Sequence, residues 1–225
     1  MTFQTTPEKG RFITFEGGEG VGKSTQLARL AEHLRECGFE VVTTREPGGT
    51  PKAEGLRNFL LSGRAAPLGP LAEAALFSAA RADHVESLIA PALNRGAWVL
   101  CDRFADSTRA YQGARGGVDA KTLALLEQAA VGETRPDLTI VLDLPAHEGL
   151  ARAASRRDGG DEIDRFESEK PDFHEELRQA FLDIAESEPE RCCVIDAARS
   201  VDDVARAVRA FVHDRFLAHA AQAAQ

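Results

Sequence analysis

At 225 residues, 43% hydrophobic and 28% charged, the chain has the make-up of a globular protein of one α/β domain. A formal net charge of −9 excludes a general nucleic-acid binder but leaves room for small phosphorylated ligands held by a local group of arginines. No apolar run approaches the ~18 residues that span a bilayer and Met1–Lys9 lacks a signal-peptide core, so no membrane association and a cytosolic location are expected.

The first strand-like run, 11–16, leads into Gly17-Gly18-Glu19-Gly20-Val21-Gly22-Lys23-Ser24. This fits G-x-x-x-x-G-K-[ST]. In such a loop glycines turn backbone N–H groups around the α- and β-phosphates of a nucleotide, Lys23 reaches the β/γ oxygens, and the Ser24 hydroxyl ligates Mg²⁺. From Thr25 onward Leu27, Leu30, Ala31 and Leu34 recur at helical spacing. The loop therefore opens a helix whose positive end faces the anion, with Gly38 just past its end.

A second strand-like run, 39–44, is followed by Thr44-Arg45-Glu46-Pro47-Gly48-Gly49-Thr50. Arg45 stands at a strand end as a candidate anion clamp, and the Pro-Gly-Gly turn fixes the backbone behind it; an ordinary surface turn is the alternative. A Gly/Pro-rich loop at 62–70 precedes helical patterning over 71–92, where Phe77 and Arg81 stand at i and i+4. A stacking ring beside a hydrogen-bond donor suits a flat base with an exocyclic oxygen, and a local cation–π pair is the competing explanation.

The third run, 97–101, ends in Asp102-Arg103. In a doubly wound sheet ligands bind outside the carboxyl ends of the strands, which would set Asp102 toward a Mg²⁺–phosphate region, directly or through water, and let Arg103 clamp an anion. A capping aspartate beside a solvated arginine fits equally well. Ser107, Thr108, Tyr111 and Gln112 follow, with Thr108 and Gln112 again at i and i+4. A helical pattern covers 121–130, and a fourth strand, 138–143, ends in Asp143 with no arginine after it, so a structural role is expected there.

The stretch 151–167 carries four arginines and Gly159-Gly160, which suits a mobile lid with Arg152 and Arg156 one helical turn apart. A fifth strand is expected at 191–195 and a last helix at 202–218 with an apolar stripe of Val204, Ala205, Val208, Phe211 and Val212. The four cysteines and six histidines show no metal-ligand spacing, and Cys101 and Cys193 read as small buried thiols in strands. The alternation implies a five-stranded, mostly parallel sheet covered on both faces, one domain with its core over about 11–216 and flexible ends at 1–9 and 219–225.

Taken together, Glu16–Thr25, TREPGGT at 44–50, LFSAAR at 76–81, DRFADSTRAYQG at 102–113 and DRFE at 164–167 resemble the thymidylate kinase family, its bacterial branch above all. The resemblance implies a P-loop three-layer α/β/α fold and transfer of the ATP γ-phosphoryl group to dTMP, with Mg²⁺ as cofactor. It gives Glu19 a place near the acceptor sugar and the phosphate–magnesium region, has Phe77 stack on thymine, and has Arg81 bond a thymine carbonyl. It sets Tyr111 against the sugar 2′ carbon, where a helix-packing tyrosine is the alternative. Arg45 and Arg103 hold the acceptor phosphate. With glycine at position 20 the family draws its catalytic arginine from the lid, here Arg156 or Arg157, and the acidic insert 158–162 leaves both open. Arg152 and Arg199 fall where ATP is contacted, Arg199 fitting a surface loop equally well. A homodimer through 71–92 and 121–130 is also implied. The rival expectations are another nucleoside or nucleoside monophosphate kinase of this fold and a P-loop regulatory ATPase.

Overall fold

Parallel strands buried on both faces read as near-continuous apolar runs, and β1 (Phe12–Glu16) is buried at every residue. It forms the centre of a five-stranded, all-parallel sheet with β2 (Val41–Arg45), β3 (Trp98–Asp102), β4 (Leu138–Asp143) and β5 (Cys192–Asp196), in the order β2-β3-β1-β4-β5. The structure is a computed structural model that describes residues 10–156 (156 as backbone only), 166 and 168–218.

Helices fill the connections: α1 (Lys23–Glu36), α2 (Pro51–Leu61), α3 (Pro70–His84), α4 (Ala90–Asn94), α5 (Ala105–Thr108), α6 (Ala120–Val131), α7 (Ala146–Arg156), α8 (Pro171–Ser187) and α9 (Val201–Val212). Side chains of a strand alternate between faces, and β1 divides them accordingly. Ile13 and Phe15 pack with Leu27, Leu30 and Leu34 of α1 and Val208 of α9. Phe12 packs on the other face with Ile89, Leu93 and Val99. Each such fully buried side chain contributes about 1.5–3 kcal/mol of apolar transfer.

Local signals set the helix ends. Thr50 caps α2 by accepting from the Ala53 N–H at 3.2 Å, Asp119 caps α6, and Ser200 caps α9. Gly38, at φ +89°, follows α1, and Phe39 N–H reaches back to the Leu34 carbonyl at 3.1 Å. The helix expected over 71–92 is α3 and α4 joined through a wide π turn at Val85–Ile89, close to Pro91, which has no N–H to donate. Phe211 departs from the expected apolar stripe of α9: it is 40% exposed, while Val204, Ala205, Val208 and Val212 are buried. The 62–70 loop contains a short 3-10 turn, Ala66–Leu68.

Because all strands run one way, their carboxyl ends line one rim: Glu16, Arg45, Asp102, Asp143 and Asp196. Register makes neighbours of residues far apart in sequence, pairing Phe15 with Asp102 and Arg45 with Asp102. Asp143 is tied to Arg178 of α8 by two bonds of 2.7 and 3.0 Å, the structural role expected of it. Cys101 and Cys193 are buried, and all four cysteines are free thiols.

Candidate active site

The loop between β1 and α1 turns on three glycines at positive φ, Gly17 (129°), Gly20 (69°) and Gly22 (95°). At Gly20 a second constraint applies, since a Cβ there would lie 1.8 Å from the Gly149 carbonyl oxygen at the start of α7. Lys23 is buried and donates to the carbonyls of Gly17 (3.2 Å) and Gly18 (2.7 Å). Burial and then Arg103 lower its pKa, while Glu19 and Asp102 favour its charged form. The Ser24 hydroxyl donates to Asp102 Oδ2 at 2.5 Å, which brings two hard oxygen atoms together at the mouth of α1.

Arg103 occupies the left-handed region at φ 68°, unusual for a non-glycine residue, directly after β3. Its backbone N–H bonds the Phe15 carbonyl (2.9 Å), and its guanidinium bonds the Gly17 carbonyl (3.1 Å), Ser107 Oγ (3.2 Å) and Glu19 Oε1 (2.5 Å). Tyr111 OH donates to the same Glu19 oxygen at 2.7 Å, and the Arg103 guanidinium lies 5.3 Å from the Tyr111 ring centroid. Burial would raise the Glu19 pKa, but Arg103 and Lys23 overcome it and bring the carboxyl down to about 2.

Beneath this, Glu16 is fully buried and accepts from the Phe104 N–H and the Ser107 hydroxyl, each at 2.7 Å. Burial, followed by the nearby Asp106, raises its pKa to about 7. Glu16 therefore supports the turn that carries Arg103. Asp106 itself is held by Arg191 through bonds of 2.7 and 2.8 Å.

These groups open on a cavity of about 420 Å³. Of the residues singled out from sequence, Glu19, Ser24, Arg45, Phe77, Arg81, Asp102, Arg103, Ser107, Thr108, Tyr111 and Gln112 all line it. Arg45 is half exposed and paired with Glu54 at 3.1 Å. Phe77 and Arg81 share the cavity, but the ring under Arg81 is Phe104, 5.2 Å away, not Phe77. The proposed donor-side contacts lie apart: Arg152 bonds the Ala197 carbonyl at 3.0 Å, and Arg199 is exposed on the turn before α9. The side chain of Arg156, all of Arg157 and most of the expected lid lie outside the described residues, as do 1–9 and 219–225.

Several cavity residues carry no sequence signal of their own. Glu46 and Phe166 fall inside recognisable motifs, but Arg57 and Leu61 come from α2, where nothing in their spacing marks them. Arg57 bonds the Pro47 carbonyl at 2.7 Å.

A glycine-rich anion loop and a second, arginine-lined cavity meet across one shared carboxylate, Glu19. That arrangement on a five-stranded parallel sheet belongs to the phosphotransferases that act on nucleoside monophosphates. A model of the thymidylate kinase family matches residues 15–208. Proteins named thymidylate kinase from Bradyrhizobium diazoefficiens and Nitrobacter hamburgensis are 53% and 55% identical, over 95% and 93% of this chain and 93% and 90% of their own. The crystal structure of thymidylate kinase from Ehrlichia chaffeensis, 35% identical, superposes with a TM-score of 0.72 over 91% of this chain and 99% of that one. The chain belongs to the thymidylate kinase family, and its activity is phosphoryl transfer from ATP to dTMP.

Proposed function

We propose that Gly17–Thr25 holds the ATP phosphates and that the 420 Å³ cavity holds dTMP, with Arg103 and Glu19 at their junction. The bond between those two residues carries this reading, because it ties the donor loop to the acceptor wall. Arg103 and Arg45 hold the dTMP phosphate, Phe77 stacks on the base, and Arg81, Thr108 and Gln112 supply its polar contacts. Tyr111, fixed by Glu19, stands against the sugar. Ser24 and Asp102 fit Mg²⁺, a hard cation taken by one or two protein oxygens plus phosphate oxygens. When bound there the ion neutralises phosphate charge. Lys23 and a lid arginine, Arg156 or Arg157, neutralise the rest. Arg152 and Arg199 serve the donor side.

The acceptor phosphate has a second pKa of about 6 and is mostly dianionic at neutral pH, so no strong base is needed. Bringing two polyanions together is the difficulty, and positioning with charge neutralisation meets it. The chain works as one domain whose segment 151–167 closes over the substrates and excludes water. The test is a product assay with ATP, Mg²⁺ and a panel of nucleoside monophosphates. Wild type should convert dTMP to dTDP in preference to dCMP, dGMP and dAMP, and Phe77→Ala should raise KM for dTMP far more than for ATP. Equal losses for both substrates would reject the acceptor assignment.

A further inference from the structure

We propose that His84, which does not line the cavity, is a positioning residue for base recognition: it holds Glu46, and through Glu46 the guanidinium of Arg81. The proposal rests on the reading of the cavity as the dTMP site.

Arg81 is almost wholly buried, and its Nε donates to Glu46 Oε2 at 2.7 Å. Its Nη2 donates to the Phe104 carbonyl and Thr108 Oγ1, each at 3.1 Å. A guanidinium is a rigid planar fork, so two fixed nitrogens determine where the third points. Nη1 makes no hydrogen bond among the described residues, while Arg81 borders the cavity. The nitrogen left over is the one available to a base carbonyl.

Glu46 can serve as an anchor only if its carboxylate is itself held. Its second oxygen, Oε1, lies 2.9 Å from His84 Nδ1, and His84 is 0% exposed. An ionised carboxylate accepts and cannot donate, so Nδ1 carries the proton. Nε2 is hydrogen-bonded to the Thr44 hydroxyl at 2.8 Å. The resulting chain, Thr44 to His84 to Glu46 to Arg81 to Thr108, links β2, α3 and α5 through side chains alone.

An independent observation shows how closely this chain is enclosed. Gly49 stands at φ +87°, and a Cβ there would lie 2.5 Å from both His84 Nε2 and Thr44 Oγ1. The Pro-Gly-Gly turn is therefore wrapped around the imidazole–hydroxyl contact and leaves no room for a side chain.

The experiment uses the full chain with ATP, Mg²⁺ and either dTMP or dCMP, in which an amino donor replaces a base carbonyl. His84→Phe keeps a ring but loses both hydrogen bonds, and His84→Asn keeps a donor near the Nδ1 position. We expect His84→Phe to raise KM for dTMP about tenfold and to narrow the dTMP/dCMP ratio of kcat/KM by a similar factor, with KM for ATP unchanged. His84→Asn should recover most of both losses. An unchanged dTMP/dCMP ratio in folded His84→Phe overturns the proposal, as does a fall in kcat common to both nucleotides, the signature of a merely structural role. Should His84→Phe fail to fold, Thr44→Val decides: a narrowed ratio supports the link, and an unchanged one overturns it. Arg81→Met separates the two levels, since an unchanged ratio there counts against the base-site reading itself and not against the His84 link.

Discussion

Arg103 and Glu19 are joined by a 2.5 Å bond from Nη2 to Oε1, and the same oxygen takes the Tyr111 hydroxyl at 2.7 Å. One carboxylate thus orients both a guanidinium and an aromatic ring that line the cavity. With its carboxyl held near 2, Glu19 is ionised throughout the neutral range, and the junction keeps its charge pattern there.

Truncating either cation at this junction should be costly. Lys23→Ala and Arg103→Ala are each expected to lower turnover on dTMP by roughly 100-fold or more, because charge-assisted contacts to phosphate are lost. Circular dichroism should report an intact fold. Near-normal turnover would remove these residues from the reaction.

Tyr111 is packed edge-on against Phe166 at 5.0 Å between centroids, while Glu19 accepts its hydroxyl. Tyr111→Ala should relax discrimination against a 2′-hydroxyl, measured as the dTMP to ribo-TMP ratio of kcat/KM. An unchanged ratio would reduce Tyr111 to a packing residue.

Gly20 is constrained twice, by φ and by the backbone of Gly149. Gly20→Ala should destabilise the protein by more than about 1 kcal/mol, since it adds left-handed strain to a displaced α7. At this chain length that corresponds to a melting-point loss of at least ~2–4 °C. A melting curve indistinguishable from wild type would show that α7 can move away freely.

Glu16 supplies a pH dependence. Its carboxyl titrates near 4.5 when unfolded and about 7 when folded, so the native state binds the proton more tightly between those values. Stability therefore falls as pH rises from about 4.5 to 7 and is level beyond, with a full effect on the order of 3 kcal/mol. Glu16→Gln mimics the protonated carboxyl and should lack this component. The melting-temperature gap between wild type and variant should then shift in the variant's favour between pH 5 and 8, and a constant gap would contradict the assignment.

The homodimer proposal concerns α3 and α6, which pack against each other and leave Leu71 (54%) and Leu125 (64%) exposed. Sedimentation should show a dimer for the wild type and a monomer for Leu125→Glu, because burying an unpaired carboxylate at an apolar contact is unfavourable. A monomeric wild type would reject the interface.

What could be read from the chain alone were the features coded locally. The phosphate loop, the strand runs with ends within about two residues, and the acceptor motifs are contiguous or at helical spacing. The helix α8 and the cavity wall from α2 were not legible, since Arg57 and Leu61 acquire meaning only when α2 folds over the rim. Side-chain partners were likewise invisible. Glu46 meets Arg81 and His84, and Glu16 meets Phe104 and Ser107, across tens of residues. Such meetings depend on the parallel register that sets Phe15 and Arg45 beside Asp102. Gly20 marks the boundary between the two kinds of knowledge. As sequence it is a variable position of the loop motif whose glycine, by the family resemblance, points to a lid arginine; in three dimensions it is where α7 comes down on that loop, and only a residue without a Cβ fits both its φ and its neighbour.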